Sequence, residues 1–166
     1  PEERPIEGRL SDFKYVPLPN QRGGSSKVDQ GQRELAATLL LKLAHENPTA
    51  DTLHPAAKYH LMLHEFEQSK QEFAAALALE PQNAKIHSDF GAGLFEEGRM
   101  QQPGADGNQL QLYGRSLDEL NKALELDTSL LEAHFNRALL LQYMSPSEQA
   151  KIAWKDYLQR DSTSPW

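Results

Sequence analysis

The sequence predicts an all-α solenoid of about seven helices preceded by an extended arm. Three stretches lie over one another in register: Phe66 to Pro81 reads FEQSKQEFAAALALEP, Tyr113 to Thr128 reads YGRSLDELNKALELDT, and Ser147 to Ser162 reads SEQAKIAWKDYLQRDS. In each, a small residue (Ser69, Ser116, Ala150) is followed four places on by a large apolar one (Phe73, Leu120, Trp154). Three places further comes Ala76, Ala123 or Tyr157. The last two stretches are 34 residues apart. A fixed period of this length is one helix pair that cannot bury its apolar face alone, so successive pairs stack.

Residues 1–27 form the arm. Pro5, Pro17, Pro19, Gly23 and Gly24 exclude a stable helix there. Leu10, Phe13, Tyr15, Val16 and Leu18 are too apolar for a simple linker, so the arm is expected to lie on the helices. Residues 28–166 form the solenoid. In 28–49, Leu35, Leu39, Leu40, Leu43 and Ala44 share one helical face and Pro48 ends the run. This matches the second helix of a repeat without its first, and the arm is expected to cover the apolar surface left open.

Residues 50–83 make a regular repeat. Its first helix carries Leu53, Ala56, Ala57, His60, Leu61 and His64, and its second carries Phe66, Ser69, Phe73, Ala76, Leu77 and Leu79. Residues 84–130 make the next, with Phe90, Gly91, Leu94 and Gly98 in matching places. It is split by thirteen residues beyond the period, read as an insertion at 100–112. Residues 131–164 make the last, with His134, Ala138, Leu141, Ala150, Trp154 and Tyr157. Gly91 opposite Ser116, and Ala57 opposite Ser69, would let antiparallel helices approach closely, while Phe73 and Trp154 fill the grooves between pairs.

Composition narrows the function. The 166-residue chain is 39% apolar and 25% charged, ordinary for a globular protein. Its net charge of −7, with 17 scattered basic residues, argues against a nucleic-acid partner. No apolar run approaches the ~20 residues that span a bilayer, so no direct membrane insertion is expected. The absence of cysteine removes disulfides, thiolate metal sites and a cysteine nucleophile. It leaves the compartment open, with the cytoplasm preferred to the periplasm. No signal-peptide pattern is visible. Ser164 and Pro165 read as the opening of another helix. The chain is therefore expected to be a piece of a longer protein, with self-association through the cut C-terminal end a further expectation.

The positions Ala57, Ser69, Phe73, Ala76 and Pro81, then Gly91, Gly98, Ser116, Leu120 and Ala123, then Ala138, Ala150 and Trp154 resemble the tetratricopeptide repeat. The likeness covers about Val28 to Trp166. It departs where Leu53, His87 and His134 replace the usual aromatic of the first helix, and where Thr128 and Ser162 replace the closing proline. The resemblance implies a right-handed superhelix whose first helices line a concave face that binds a protein or peptide. The groove-facing candidates are then His54, Lys58, Leu61 and Met62, then Ser88, Ala92, Phe95 and Glu96, then Phe135, Leu139, Gln142 and Tyr143. A narrower resemblance, carried by RLSDFKYVPL, RG, one helix, three repeats and YLQRDSTSPW, is to the repeat region of large bacterial proteins. Some of these carry a caspase-like protease domain of the CHAT type. In such a protein this segment would be its regulatory or recognition part.

Other chemistries find less support. Asn136 and Lys58 suit a clamp for a partner's C-terminal carboxylate, but His54, Pro55, Ser88 and Leu139 do not. His60 and His64 have a metal-compatible spacing without an HExxH motif, and are expected to pack instead. Asp106, Gly107 and Asn108 do not follow EF-hand spacing. Glu96-Glu97, Asp118-Glu119 and Glu125 read as solvated charge or helix support. No Gly-rich loop or GxSxG motif occurs. The expectation is a non-enzymatic protein- or peptide-binding scaffold with no cofactor and no metal.

Overall fold

The computed structural model describes residues 6–13, 27–101, 108–145 and 147–163. Among them are seven helices and no strand: α1 Lys27–Glu46, α2 Ala50–Met62, α3 Phe66–Leu79, α4 Ala84–Met100, α5 Asn108–Leu126, α6 Leu131–Met144 and α7 Glu148–Arg160. Local chemistry sets the boundaries. Asn83 caps α4, its side chain accepting from the main-chain N–H groups of Lys85 at 3.1 Å and Ile86 at 3.3 Å. His64 takes a left-handed φ of 59° just past α2 and turns the chain into α3. Asp127 accepts from the main chain of Ser129 at 2.8 Å in the turn before α6.

The pairs α2–α3, α4–α5 and α6–α7 each pack antiparallel, and α3 meets α4 as α5 meets α6. The same hydroxyl device closes the first two pairs. Ser69 Oγ donates to the carbonyl of Ala57 at 2.9 Å, and Ser116 Oγ donates to that of Gly91 at 2.7 Å. A Cβ on Gly91 would lie 2.7 Å from Leu120 Cγ, so close approach of α4 and α5 depends on glycine there. Phe73, Leu120 and Leu140 are fully buried. Each such side chain contributes about 1.5–3 kcal/mol by burial. Phe73 stacks on Phe90 at 5.5 Å, joining one pair to the next.

Curvature follows from which helices touch. Among the described residues, α4 contacts both α2 and α6, whereas α3, α5 and α7 do not contact one another. The first helices of the pairs are therefore the closer set and form the inner, concave layer. The segment at 100–112 has a structure beyond a simple loop. Residues 108–112 already belong to α5, and α4 and α5, at 17 and 19 residues, exceed the 13 to 14 of α2, α3, α6 and α7. Leu112 is buried, which anchors that extension. Residues 102–107, including Asp106 and Gly107, lie outside the described residues, as do 14–26 and Ser164 to Trp166.

The described part of the arm, residues 6–13, lies against the inner layer, where Ile6 and Leu10 join the largest apolar cluster. Among the described residues, its hydrogen bonds go to α2, α4, α6, α7 and Asp161. On α1, Leu35, Leu39 and Leu43 remain exposed. The expected cover of α1 falls largely on residues 14–26, outside the described residues, while residues 6–13 lie on the inner side because of the partners it offers. An extended segment needs acceptors and donors for its main chain, and α4 and α6 supply them, whereas the side chains of Leu35, Leu39 and Leu43 offer none.

Candidate functional site

The inner layer is built on one stripe of α4. Lys85, Asp89, Ala92, Glu96 and Arg99 recur at steps of four and three, the spacing that aligns side chains on one helical face. Each meets the arm in antiparallel order. Lys85 pairs with Asp12 at 2.7 Å. Asp89 Oδ1 accepts from the Ser11 N–H at 2.7 Å, and its Oδ2 accepts from the Ser11 hydroxyl. Ala92 lies against Gly8, where an added Cβ would come within 3.2 Å of its own. Glu96 Oε1 accepts from the N–H of Gly8 at 2.9 Å and from that of Glu7. Arg99 lies 3.4 Å from Glu7.

From α6, Asn136 grips the arm with both ends of its amide. Its Oδ1 accepts from the Arg9 N–H at 2.7 Å, and its Nδ2 donates to the Arg9 carbonyl at 2.7 Å. From α2, Lys58 Nζ donates to the Ser11 carbonyl at 3.0 Å and lies 5.4 Å from the centre of the Phe13 ring. His54 Nε2 meets Asp89 Oδ2 at 2.7 Å. The arm ends in a turn in which the Phe13 N–H donates to the Leu10 carbonyl, with Asp12 left-handed at φ 63°. Among its residues, 6 and 8–11 are buried, so the inner layer with the arm in place is a filled groove.

The Arg9 side chain occupies a pocket of its own. Its Nη1 donates to the Tyr157 hydroxyl at 2.8 Å and to Asp161 Oδ2 at 2.9 Å, and Nη2 lies 4.0 Å from Glu132. The guanidinium carbon stands 5.7 Å from the centre of the Phe135 ring and 5.8 Å from that of Tyr157. The rings are themselves fixed edge to face, Phe135 against Trp154 and Tyr157 at 5.4 Å each. A planar cation between aromatic faces with a carboxylate at its edge is geometry that suits arginine and not lysine. At the other end of the arm, the Lys85 hydrogen bond holds the Asp12 carboxyl below its ordinary pKa. Burial, with a hydrogen bond to Glu7, pushes the Tyr143 hydroxyl up.

The sequence candidates divide by position. His54 and Lys58 meet the arm or its direct partner. Phe135 flanks Arg9, and Tyr143 donates to Glu7 Oε2 at 2.9 Å. Leu61 is fully buried in the core, Ser88 is fully buried, and Phe95 packs between Tyr113 and Tyr143. Met62 is half-buried at the end of α2, and Leu139 is half-buried against the cluster of Phe95, Tyr113, Leu120 and Leu140. Gln142 accepts from the Trp154 indole at 2.7 Å. Reading Glu96 as solvated charge is corrected, since it is fully buried under the arm and paired with Arg99 at 2.8 Å. Sequence reasoning misses Asp89, Tyr157, Asp161 and the arm residue Arg9 as members of the site. The signal that could find Asp89 is the set of charged residues Lys85, Asp89, Glu96 and Arg99, which share one helical face of α4.

His60 pairs with Glu72 at 2.7 Å, and no metal-holding group of three His, Asp or Glu exists among the described residues. No helix there is long and apolar enough to cross a membrane.

Stacked helix pairs of one period, with first helices inward around a groove, define a solenoid of the tetratricopeptide-repeat type. Solved structures agree with that class. The chain is similar to TTC0263, a thermophilic TPR protein in Thermus thermophilus, at 18% identity and a TM-score of 0.70, covering 82% of this chain and 70% of that one. It is also similar to MamA, at 14% identity and a TM-score of 0.61, covering 83% of this chain and 76% of that one. At these identities the likeness is one of fold. No family model and no curated protein matches the chain.

Proposed function

We propose that the chain is a protein-binding scaffold whose inner face, formed by α2, α4 and α6, takes an extended peptide from a partner. The observation that supports this most is the arm itself. The described arm, residues 6–13, already lies in the groove and runs into a turn at Ser11 and Asp12, its main chain bonded to Asp89, Glu96, Asn136 and Lys58. Side chains that bond a peptide's main chain hold any sequence in register, while pockets between them choose among side chains. Asn136 and Lys58, residues also suited to a carboxylate clamp, are here engaged with main-chain carbonyls.

The test is a calorimetric titration of a chain whose own arm is weakened by Arg9→Ala with a synthetic peptide of residues 6–13. Saturable one-to-one binding is expected, at least tenfold weaker when Asn136→Ala is added. No binding, with helicity by circular dichroism unchanged, would contradict the proposal.

A further inference from the structure

Resting on that reading, we propose that the groove selects partner segments of the form Gly-Arg-apolar-Ser. The arm is a tethered stand-in that occupies the groove until such a segment displaces it. Four subsites define the form. At the first, Gly8 sits where a Cβ would meet Ala92 Cβ at 3.2 Å, tighter than ordinary contact, and would touch Asn136 Oδ1 at 3.4 Å. At the second, Arg9 is held between Phe135 and Tyr157 with Asp161 at its edge. At the third, Leu10 is 3% exposed and belongs to the main apolar cluster. At the fourth, the amide and hydroxyl of Ser11 both donate to Asp89, so a residue without a hydroxyl would remove one donor from that buried carboxylate and leave it the amide, His54 and Lys58. The next position takes a left-handed φ of 63°, which favours Asp, Asn or Gly there.

The packing makes this occupant replaceable. Among the described residues, the apolar clusters around Phe95 and Leu120 and around Ala123 and Leu130 contain no arm residue. The polar groups the arm covers on the helices include Asp89, Glu96, Asn136 and Lys58, which water can bond when the arm leaves, and beside them lie the apolar seats of Ile6 and Leu10. Those two clusters keep their own packing when the arm departs, and the emptied groove exposes hydratable polar groups beside a small apolar seat that a partner's apolar residue would fill. A tethered ligand competes at an effective concentration on the order of millimolar, so a free peptide must work against it.

The experiment is fluorescence anisotropy with a labelled peptide of residues 6–13, titrated with the full chain and with its Arg9→Glu variant. The variant's own arm is repelled by Asp161 and Glu132. Binding to the variant is expected to be at least tenfold tighter than to the unaltered chain. Peptides with Arg→Lys or Gly→Ala should bind the variant at least fivefold more weakly. Equal binding of those peptides would overturn the selectivity and leave the scaffold reading standing. Equal binding by the two proteins would overturn the occlusion. Absence of binding to a fully helical variant would sink both readings. If Arg9→Glu lowers helicity, a chain lacking residues 1–13 takes its place. Loss of helicity there too would mark the arm as a structural strut and overturn the inference. A doubled mass of the unaltered chain by light scattering would identify the occupant as a second copy's arm, which is also contrary to it.

Discussion

Asn136 satisfies both main-chain groups of Arg9 with a single side-chain amide. Asn136→Ala leaves a buried N–H and a buried carbonyl without partners, at about 1–3 kcal/mol for each. The arm is the part free to respond, so the variant should release it rather than unfold the helices. A protease that recognises Ile-Glu-Gly-Arg should cut after Arg9 ten- to a hundredfold faster in this variant than in the unaltered chain. Unchanged cleavage would mean the amide holds nothing. Gly91 answers to packing instead, with Leu120 Cγ 2.7 Å from any added Cβ. Gly91→Ala should lower stability by about 1–3 kcal/mol in urea unfolding through overpacking. Asp12 sets a pH dependence. Its lowered pKa, caused first by the Lys85 hydrogen bond, favours the docked arm above the ordinary carboxylate range. That contribution disappears as pH falls through the lowered value. Protease protection of Arg9 should therefore weaken below about pH 4, and Asp12→Asn should remove the part due to this group.

Helices are the legible elements. The small-large-small pattern marks Ser69, Phe73, Ala76 and their counterparts because close packing admits few alternatives at those places, and the structure puts Ser69 and Ser116 hydroxyls on the facing carbonyls. The groove is less legible for two physical reasons. An extended segment has no period to read, so residues 6–13 show only that they are too apolar to be free. A buried carboxylate also looks like a solvated one in sequence, as Glu96 does, because its burial comes from a segment 88 residues away. On α4, choosing Ser88 rather than Asp89 is a rotation of about 100°, enough to move from the arm-facing stripe to the packed side. The α1 stripe gives an element-scale prediction. Leu35 and Leu39 are 60% and 57% exposed, so Leu35→Gln with Leu39→Gln should shift stability by no more than about 0.5 kcal/mol each. A loss of about 2 kcal/mol or more in urea unfolding, beyond what exposed surface positions give, would show that another segment covers the stripe.

Across the whole molecule, the helix pairs supply a stack whose core residues are largely their own, and the arm crosses α2, α4 and α6 like a strap along the inner face. Its polar bonds tie α2, α4, α6 and Asp161 to one peptide, so occupancy of the groove should stiffen successive pairs together. The most direct measurement of the docked arm is amide hydrogen exchange by NMR at Gly8, Arg9 and Ser11. If Glu96, Asn136 and Asp89 hold these three N–H groups, each should exchange at least about tenfold more slowly than an unstructured chain, as a bond worth roughly 1.4 kcal/mol requires. Asn136→Ala should return Arg9 to the free rate while the amides of α4 and α6 stay protected. Free-rate exchange at all three positions in the unaltered chain would contradict the docked arm and, with it, the groove as a peptide site.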